Sequence, residues 1–500
     1  MKILVVISSK LYIRNYISTK AFQCLSNHSL SYLFLSGLEK SFDIDNLKET
    51  EIFTYESGKF NNLRVWSFDF CNQLKMYEKS KCNKNFLHRL RRELIPKIYS
   101  LIVVPNKILL EYNHPLLRKF QLNENSNFFL ILFFGLLKTF RDIIVELPKL
   151  MKYLLIVFLV SIRLNSIVTL ILWRFIPFDE KIKEIFTQAK PDLTIIPSSV
   201  VDKVAFEIFR LKRLNQQNKI LLLIDNWDNL SSKSSFVKNP DFIGVIGKQG
   251  YDFAVNIHGI EKHRIRILGT PRFDIYKKSL IKNKSYDNSS TLSLIEKPYI
   301  LFAGCSAYYD EVNALKALSY AVNVLSNILP PNIKILYRPH PWGAKQKYLD
   351  SLYLSPIEYV IIDPQIERNS HLSGLNFQPE LDYYPRLISD SLMVVCPLST
   401  MILEASILSK QVVALAHEDR ISLLSPNRIL LNYKHFEGLE KLHNLCLVKN
   451  FSHLTSAIKS AYFNGDLEEP SDNLNYFVNI DEPSYAVKLS NFVDEISKDV

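Results

Sequence analysis

The segments PYILFAG (298–304), IKILYRPHP (333–341) and LMVVCPLST (392–400) decide the fold of this chain. Each is a short apolar run that ends in a turn, and stretches with helical spacing lie between them. EYVIID (358–363) and QVVALA (411–416) have the same character. Apolar strands that alternate with helices build a parallel sheet whose two faces are both covered. The second half of the chain is therefore predicted to be a Rossmann-like α/β domain.

The first half shows the same alternation. Its predicted strands are 2–9, SLSYLFLS (29–36), LRVWSFDF (63–70), PDLTIIPSS (191–199) and KILLLI (219–224). A chain of 500 residues is too long for one ordinary core, so we expect two domains that face each other across a cleft. The polar stretch KNKSYDNSST (282–291) has the composition of a linker. The predicted domains are 1–281 and 298–500, joined by a linker at 282–297.

Residues 127–177 are predicted to form an apolar helical insert in the first domain. A membrane-spanning helix needs about 20 mainly apolar residues. The most apolar window, 153–175, would place Arg163 near the bilayer centre, which costs about 2.5–3.5 kcal/mol. Helices that lie in the membrane interface, with Lys and Arg at the lipid phosphates, avoid that cost. A membrane-facing insert is preferred, and a buried helical layer or a true span are the alternatives.

Charge and composition restrict the partners. Lys and Arg total 61 against 50 Asp and Glu, a net charge of +11 that favours an anionic membrane surface or a nucleotide-linked substrate. The sequence has no nucleic-acid-binding motif, so nucleic acid is not an expected partner. The six cysteines lack CxxC spacing, which predicts neither a disulfide framework nor a zinc site. Because the first residues do not resemble a signal peptide, we expect a cytoplasmic protein, peripheral at the inner face of the cell membrane.

Two candidate sites follow the first strands of the second domain. Strand ends and helix starts offer backbone N–H groups to anionic ligands. Ser306 follows Gly304 in a turn of small residues where a diphosphate can approach the backbone. Arg338 and His340 lie in the proline-stiffened loop YRPHPW (337–342), which suits a phosphate and a base ring. A tight turn without a ligand, and a histidine without a function, are the alternatives.

A third candidate site lies at the start of a helix predicted over 401–409. The hydroxyls of Ser399 and Thr400 can reach a phosphate there, and Glu404, one turn further on, can accept ribose hydroxyls. The alternative is a helix N-cap followed by a solvated glutamate. We predict that the three sites together hold the nucleotide of a donor substrate.

A fourth candidate site, DNWDNLSSK (225–233), follows the buried strand KILLLI in the first domain. A carboxylate at a strand end can act as the general base that deprotonates an acceptor hydroxyl, while Lys233 offsets the charge. Asp228 is the preferred base and Asp225 the second candidate. An Asx-rich turn without a function is the alternative.

Four segments carry a family resemblance: ILGTPRFDIY (267–276), ILFAGCSAYYDE (300–311), YRPHP (337–341) and PLSTMILEASILSKQVVALAHED (397–419). Through them the chain resembles GT-B glycosyltransferases of bacterial surface-polysaccharide biosynthesis, including capsule synthesis. More distantly it is similar to CDP-glycerol glycerophosphotransferases. The pairs His340-Pro341 and Ser399-Thr400 also resemble the nucleotide-binding motifs of bacterial sialyl and Kdo transferases. The resemblance implies two Rossmann-like domains and transfer of a sugar from a nucleotide-sugar donor to a glycan or lipid-linked acceptor.

Three alternatives stay open. Glycerophosphotransferases carry a catalytic His where this chain has Asp228. UDP-sugar 2-epimerases share the architecture but have Ser-Gly-Gly followed by paired Glu where this chain has Leu398-Ser399-Thr400. A non-catalytic, membrane-associated nucleotide-binding protein also fits the apolar insert. Since no Asp-x-Asp motif follows a suitable strand, we expect a metal-independent reaction, with the nucleotide-sugar as co-substrate and no other cofactor.

Overall fold

A computed structural model describes residues 1–38, 50–55, 62–95, 128–198, 203–277, 294–295, 297–305, 309–340, 345–368, 381–417 and 426–498. Most of the predicted linker, and Ser306, lie outside the described residues. The chain divides into two compact units, one of residues 1–61, 177–231 and 238–500 and the other of 62–176 and 232–237.

The described strands all belong to the first unit and form two sheets. They are β1 Lys2–Ile7, β2 Ser29–Leu35, β3 Glu51–Tyr55, β4 Leu193–Ser198, β5 Lys219–Ile224, β6 Phe242–Val245, β7 Ile265–Ile267, β8 Tyr299–Ala303, β9 Lys334–Arg338, β10 Val360–Ile362, β11 Val394–Pro397, β12 Val412–Leu415 and β13 Leu445–Val448. The first sheet has the order β3-β2-β1-β4-β5-β6-β7 and the second β10-β9-β8-β11-β12-β13.

Both sheets are parallel and doubly wound. Neighbouring strands run in the same direction in both sheets. Val5 of β1 lies beside Tyr32 of β2, and Val394 of β11 lies beside Leu301 of β8. In each sheet the strand order reverses beside the first strand, between β1 and β4 and between β8 and β11. Crevices that receive ligands form at the carboxyl ends of strands at such reversals. The predicted fold class, two Rossmann-like domains of the GT-B type, is confirmed.

Helices connect the strands. In the first unit they are Lys10–Tyr12, Glu180–Ala189, Lys203–Leu211, Lys248–Asn256, Asp274–Lys277, Glu311–Val324, Lys345–Leu354, Pro364–Arg368, Tyr383–Asp390, Met401–Ile407, Pro426–Asn432, Leu454–Asn464, Leu474–Phe477 and Tyr485–Lys498. The last of these returns to the first sheet, where Leu489 and Phe492 pack in one buried cluster with Ile3 and Val5. The domain limits 1–281 and 298–500 stay a prediction, but residues near the end of the chain complete the core of the first sheet.

One predicted strand is wrong. LRVWSFDF (63–70) is part of the helix Asn62–Glu78. Its polar-apolar alternation covers only a few residues, whereas the buried side chains Ser67, Phe70, Cys71 and Leu74 recur at helical spacing over a longer stretch. The helical spacing determines the structure because it places the apolar side chains on one face of a helix, which can then be buried.

The second unit contains the predicted apolar insert. Its helices are Asn62–Glu78, Lys84–Leu94, Phe128–Ser161 and Asn165–Phe175. The chain bends by 112° between Ile144–Ser161 and Asn165–Phe175. No single helix among the described residues is both long and apolar enough to cross a membrane, although this bent pair meets the two criteria jointly. The helical insert is thus confirmed, and its relation to a membrane stays a prediction.

Candidate functional site

Asp225 is buried at the carboxyl end of β5. Both of its carboxylate oxygens accept hydrogen bonds from Nδ2 of Asn15, at 2.9 and 3.1 Å. Burial raises the pKa of Asp225, while Arg272, the Asn15 hydrogen bond and Arg14 act in the opposite direction without cancelling it. A buried carboxyl group of this kind holds its proton to a higher pH than a solvated aspartate does.

Asn15 reaches Asp225 from a widened helical turn. The segment Ile13–Ile17, which follows β1 and a short α-helical turn, is a π-helix and also carries Arg14. Such turns are rare and occur mostly at functional sites, because the extra residue redirects the side chains around it. Here the turn places an amide and a guanidinium at the point where the strand order of the first sheet reverses.

Arg272 approaches the same place from the turn after β7. Gly269 begins this turn with φ of +81°, and a Cβ atom there would lie 2.6 Å from the carbonyl oxygen of Asn479. Only glycine fits that position. The following residues Pro271–Phe273 form a 3-10 turn. It brings a guanidinium nitrogen of Arg272 to 3.6 Å from Oε1 of Glu404.

Glu404 belongs to the second sheet's half of the unit, on the helix Met401–Ile407 that follows β11. It is buried, and the hydroxyl of Tyr276 donates a hydrogen bond of 2.5 Å to its Oε2. Burial lowers the pKa of Arg272, but Glu404 and Asp225 raise it by more, so the cation is stabilised overall. Arg272 therefore links the two predicted carboxylates, one from each sheet. We call Arg14, Asn15, Asp225, Arg272, Tyr276 and Glu404 the arginine cluster.

Arg14 is a second cation of the arginine cluster, and it donates a hydrogen bond of 3.3 Å to Oδ1 of Asn15. Burial lowers its pKa, and nearby Arg272 lowers it further, although Tyr276, Tyr384 and Glu404 oppose the shift. A lowered arginine pKa means that the surroundings supply too little negative charge for a desolvated cation. Arg14 is therefore the cation of the arginine cluster that an anionic ligand would stabilise.

The guanidinium group of Arg338 binds other side chains of the protein. One of its terminal nitrogens pairs with the buried carboxylate of Asp363, and the other donates to Oε1 of Gln365 at 2.9 Å. The guanidinium also lies over the ring of Tyr384, with 4.7 Å between its central carbon and the ring centroid. Tyr384 in turn lies beside Arg14, at 5.8 Å. Arg338 thus borders the arginine cluster, and its predicted contact with a nucleotide stays a prediction.

The other predicted residues are close to strand ends. Ser399 and Thr400 are half-buried directly after β11, and Thr400 precedes the helix without a side-chain cap. The Ser399 hydroxyl oxygen is buried without a hydrogen bond of normal geometry in the described part of the chain. His340 is half-buried just beyond β9, and Asp228 is half-buried in the turn after β5, where its carbonyl accepts a hydrogen bond from Ser231. Ser306 cannot be placed, because it lies outside the described residues.

Glu311, which ends the segment ILFAGCSAYYDE (300–311), is a buried carboxyl group to which the sequence gave no role. Its Oε1 accepts from the backbone N–H of Cys305 at 3.0 Å, and its Oε2 accepts from the Tyr337 hydroxyl at 2.5 Å. A Cβ atom on Gly304 would lie 2.7 Å from these oxygens, so the glycine admits the carboxyl group beneath the turn after β8. Burial raises the pKa of Glu311 to about 7, against the opposing effect of the two hydrogen bonds.

Glu311 is expected to make stability depend on pH. Between the unfolded pKa of 4.5 and the folded pKa of about 7, the folded state binds more protons than the unfolded state. Glu311 therefore makes its full contribution to the free energy of unfolding below pH 4.5, and this contribution is lost as the pH rises through about 7. Glu311→Gln keeps an acceptor for Cys305 but cannot ionise, so it is expected to raise the free energy of unfolding at pH 8 by about 2–3 kcal/mol. Chemical denaturation of both proteins at pH 5 and pH 8 checks this; equal differences at the two pH values would contradict it.

No known protein family matches the sequence, and no curated protein sequence matches it. Solved structures do match. A putative UDP-N-acetylglucosamine 2-epimerase from Listeria monocytogenes aligns with a TM-score of 0.50 and 9% identity over 100% of this chain and 97% of its own. A UDP-GlcNAc 2-epimerase from Methanocaldococcus jannaschii (TM-score 0.49, 10% identity, 100% of both chains) and a glycosyltransferase from Rickettsia africae (0.47, 10%, 99% and 97%) are similar. Identities this low show the two-domain GT-B fold alone.

Sequence reasoning missed Arg14, Asn15, Arg272 and Tyr276. Arg272 and Tyr276 lie in ILGTPRFDIY (267–276), one of the segments that carry the family resemblance, but neither side chain was assigned a role. Arg14 and Asn15 follow the first strand, where the rule that binding groups follow parallel strands would have found them. Among the described residues, no group of three or more His, Cys, Asp and Glu side chains is placed to hold a metal ion.

Proposed function

We propose that this protein is an enzyme that acts on a UDP-sugar or a related nucleotide-sugar, with the arginine cluster as its active centre. The observation that carries the proposal is the buried contact of Arg272 with Glu404, because it joins groups from the carboxyl edges of both sheets. Buried charges destabilise a fold unless they are paired or serve a ligand. Solved structures of the same fold are described as acting on UDP-sugars, which supports the substrate class.

The charge of the arginine cluster favours a diphosphate. Arg14 is desolvated without full compensation, and Ser399 and Thr400 add hydroxyl groups beside β11. One guanidinium group can donate two parallel hydrogen bonds to the oxygens of a phosphate, and it remains charged when it is buried. A nucleoside diphosphate held here would have its leaving group stabilised by cations in a site with little water.

Asp225 is the acid-base group that this geometry favours. Its raised pKa allows it to hold a proton at a pH where a solvated aspartate is ionised, so it can donate or accept one during the reaction. Asp228, the base preferred from the sequence, is half-buried three residues further on. We retain it as the candidate that activates an acceptor hydroxyl if the reaction is a transfer.

Two reaction classes follow. In 2-epimerisation a proton leaves carbon 2 of the sugar and returns on the opposite face, and no acceptor is needed; the similar structures from Listeria and Methanocaldococcus carry this activity in their names. In glycosyl transfer, the hydroxyl oxygen of a surface-glycan or lipid-linked acceptor attacks carbon 1 of the sugar. The bond from carbon 1 to the phosphate oxygen breaks, the nucleotide leaves, and the hydroxyl proton passes to the base. Leu398-Ser399-Thr400, in place of Ser-Gly-Gly, favours transfer. We rank epimerisation at least equal to transfer.

Nucleotide binding is the first expected result. UDP, CMP, CDP and GDP are titrated against the purified protein by thermal shift, and a nucleotide at 100 times its dissociation constant is expected to stabilise the protein by about 2.7 kcal/mol. Arg14→Gln and Ser399→Ala are expected to weaken binding of the preferred nucleotide. Arg264→Gln, which alters an exposed arginine paired with Glu261, is the matched control and is expected to bind as the original protein does.

The reaction class is decided by incubating UDP-GlcNAc with the protein in D2O without an acceptor. A changed sugar that carries deuterium at carbon 2 would establish epimerisation. Unchanged UDP-GlcNAc, together with nucleotide binding, would favour transfer. If no nucleotide shifts the melting temperature, the proposed active centre is wrong, and a membrane-associated protein without turnover becomes the better interpretation.

A further inference from the structure

From residue 144 onwards, the helices Phe128–Ser161 and Asn165–Phe175 expose many apolar side chains and bury several polar ones. Of the 25 large apolar side chains exposed in the described residues, 13 lie between positions 144 and 175, so the exposure is concentrated on one short segment. Glu146, Asn165 and Thr169, by contrast, are buried. Soluble helices show the opposite arrangement, with the apolar face towards the core. The alternative of a buried helical layer does not fit this exposure.

The exposed apolar side chains follow helical spacing. Met151, Leu154, Leu155 and Phe158 on the first helix, and Ile162 directly after it, recur every three or four residues. They form one continuous stripe because residues at this spacing share a helix face. We call this stripe and its continuation on the next helix, Leu164, Ile167, Leu170, Ile171 and Phe175, the apolar ridge. Contiguous exposed patches of this kind mark interaction sites with proteins or membranes.

Buried side chains and one polar contact fix the orientation of the ridge. On the first helix Glu146 and Ile156 are buried, and Glu146 pairs with Lys149 of the same helix at 2.9 Å. On the second helix Nδ2 of the buried Asn165 donates a hydrogen bond of 3.0 Å to Glu78. Rotating the first helix to hide its apolar face would expose Ile156, and rotating the second would break the contact between Asn165 and Glu78. The apolar residues therefore face outwards as part of the folded structure.

The segment that carries the ridge has a positive net charge. Between positions 144 and 175 the sequence has four basic residues, Lys149, Lys152, Arg163 and Arg174, and one acidic residue, Glu146, which is buried. Arg163 is exposed at the bend between the two helices. Lys and Arg at the edge of an apolar helix face bind the phosphates of anionic lipids while the apolar side chains enter the acyl boundary. This complementarity favours a lipid surface over a second protein copy, which would bring like charges together.

We propose that the apolar ridge docks this protein on the surface of an anionic phospholipid membrane, with both helices lying in the interface. Asn165–Phe175 has 11 residues and a length of about 16 Å, which is too short for a hydrocarbon core of about 30 Å. The 112° bend further disfavours one continuous span. The ridge enters one leaflet, and Arg163 stays at the level of the lipid phosphates. This inference does not depend on the reaction that the enzyme performs.

Vesicle flotation of the full-length protein tests the inference. Phe158 and Leu170 are 59% and 63% exposed, so Phe158→Asp with Leu170→Asp removes apolar contact without opening a core. We expect this double variant to lose at least about tenfold in partitioning to vesicles of phosphatidylcholine with phosphatidylglycerol. Arg163→Gln is expected to lose about fivefold on these vesicles and little on phosphatidylcholine alone.

Phe463→Asp is the matched control, because Phe463 is 66% exposed on a helix of the other unit, and it is expected to bind vesicles as the original protein does. Unchanged melting temperatures show that each variant is folded. Absence of vesicle binding by the original protein would overturn the inference. Equal binding by the double variant would also overturn it. A dimer that the double variant converts to a monomer, measured by light scattering without vesicles, would assign the ridge to self-association instead.

Discussion

Arg338→Met is expected to lower the free energy of unfolding by about 3–5 kcal/mol. Its partner Asp363 is completely buried and accepts further hydrogen bonds from the Tyr383 hydroxyl and the backbone N–H of Gln365. Without the guanidinium, a desolvated carboxylate has no counter-charge. Chemical denaturation measures the loss.

Arg386→Met is the matched control for this variant, because Arg386 pairs with the more exposed Asp382 one helical turn away. Exposed pairs contribute about 0–1 kcal/mol. Combining Arg338→Met with Asp363→Asn removes the buried charge but keeps an acceptor, and should restore part of the stability. A loss no larger than that of the control would show that Arg338 is available to a ligand, as the sequence suggested.

Arg272→Leu is expected to remove nucleotide-induced stabilisation and to lower the free energy of unfolding at pH 8 by about 3–5 kcal/mol. Arg272 is the cation next to both Asp225 and Glu404. Its removal raises the pKa of Asp225 further, because Arg272 is the main group that opposes the effect of burial. A carboxyl group with a raised folded pKa destabilises the protein as the pH rises through that value. The loss should therefore be smaller at pH 5 than at pH 8.

Two further variants separate the effect of Arg272 on the stability of the fold from its effect on nucleotide binding. Arg264→Leu changes an exposed arginine and is expected to alter stability by at most about 1 kcal/mol. Arg272→Leu with Asp225→Asn should recover part of the stability, since Asn15 can still bond to the amide, yet remain unable to bind nucleotide. A double variant that binds nucleotide normally would show that the arginine cluster holds the two sheets together and is not the active centre.

The sequence accounts for the positions of Asp225 and Glu404, because each follows a strand of a predicted parallel sheet, and the structure brings both close to Arg272. The roles that the sequence gave them stay predictions. Arg272 itself was not identified, because nothing in LGTPRFDIY shows that its turn points towards a helix more than a hundred residues further on. Asn15 and Asp225 are separated by 210 residues, and no local pattern relates them.

The sequence by itself determined the fold class. Apolar strands alternating with helices dictate parallel sheets, since only a crossover helix can join parallel neighbours and cover the faces. It also determined that residues 127–177 would be helical and apolar. The tertiary structure alone decided which polar groups meet, because it joins side chains that are far apart in the chain: Asn15 bonds to Asp225 across 210 residues, and Arg272 contacts Glu404 of the second sheet. It also decided which face of the insert helices points outwards, since that depends on which of their side chains, such as Glu146, Ile156 and Asn165, the rest of the unit buries.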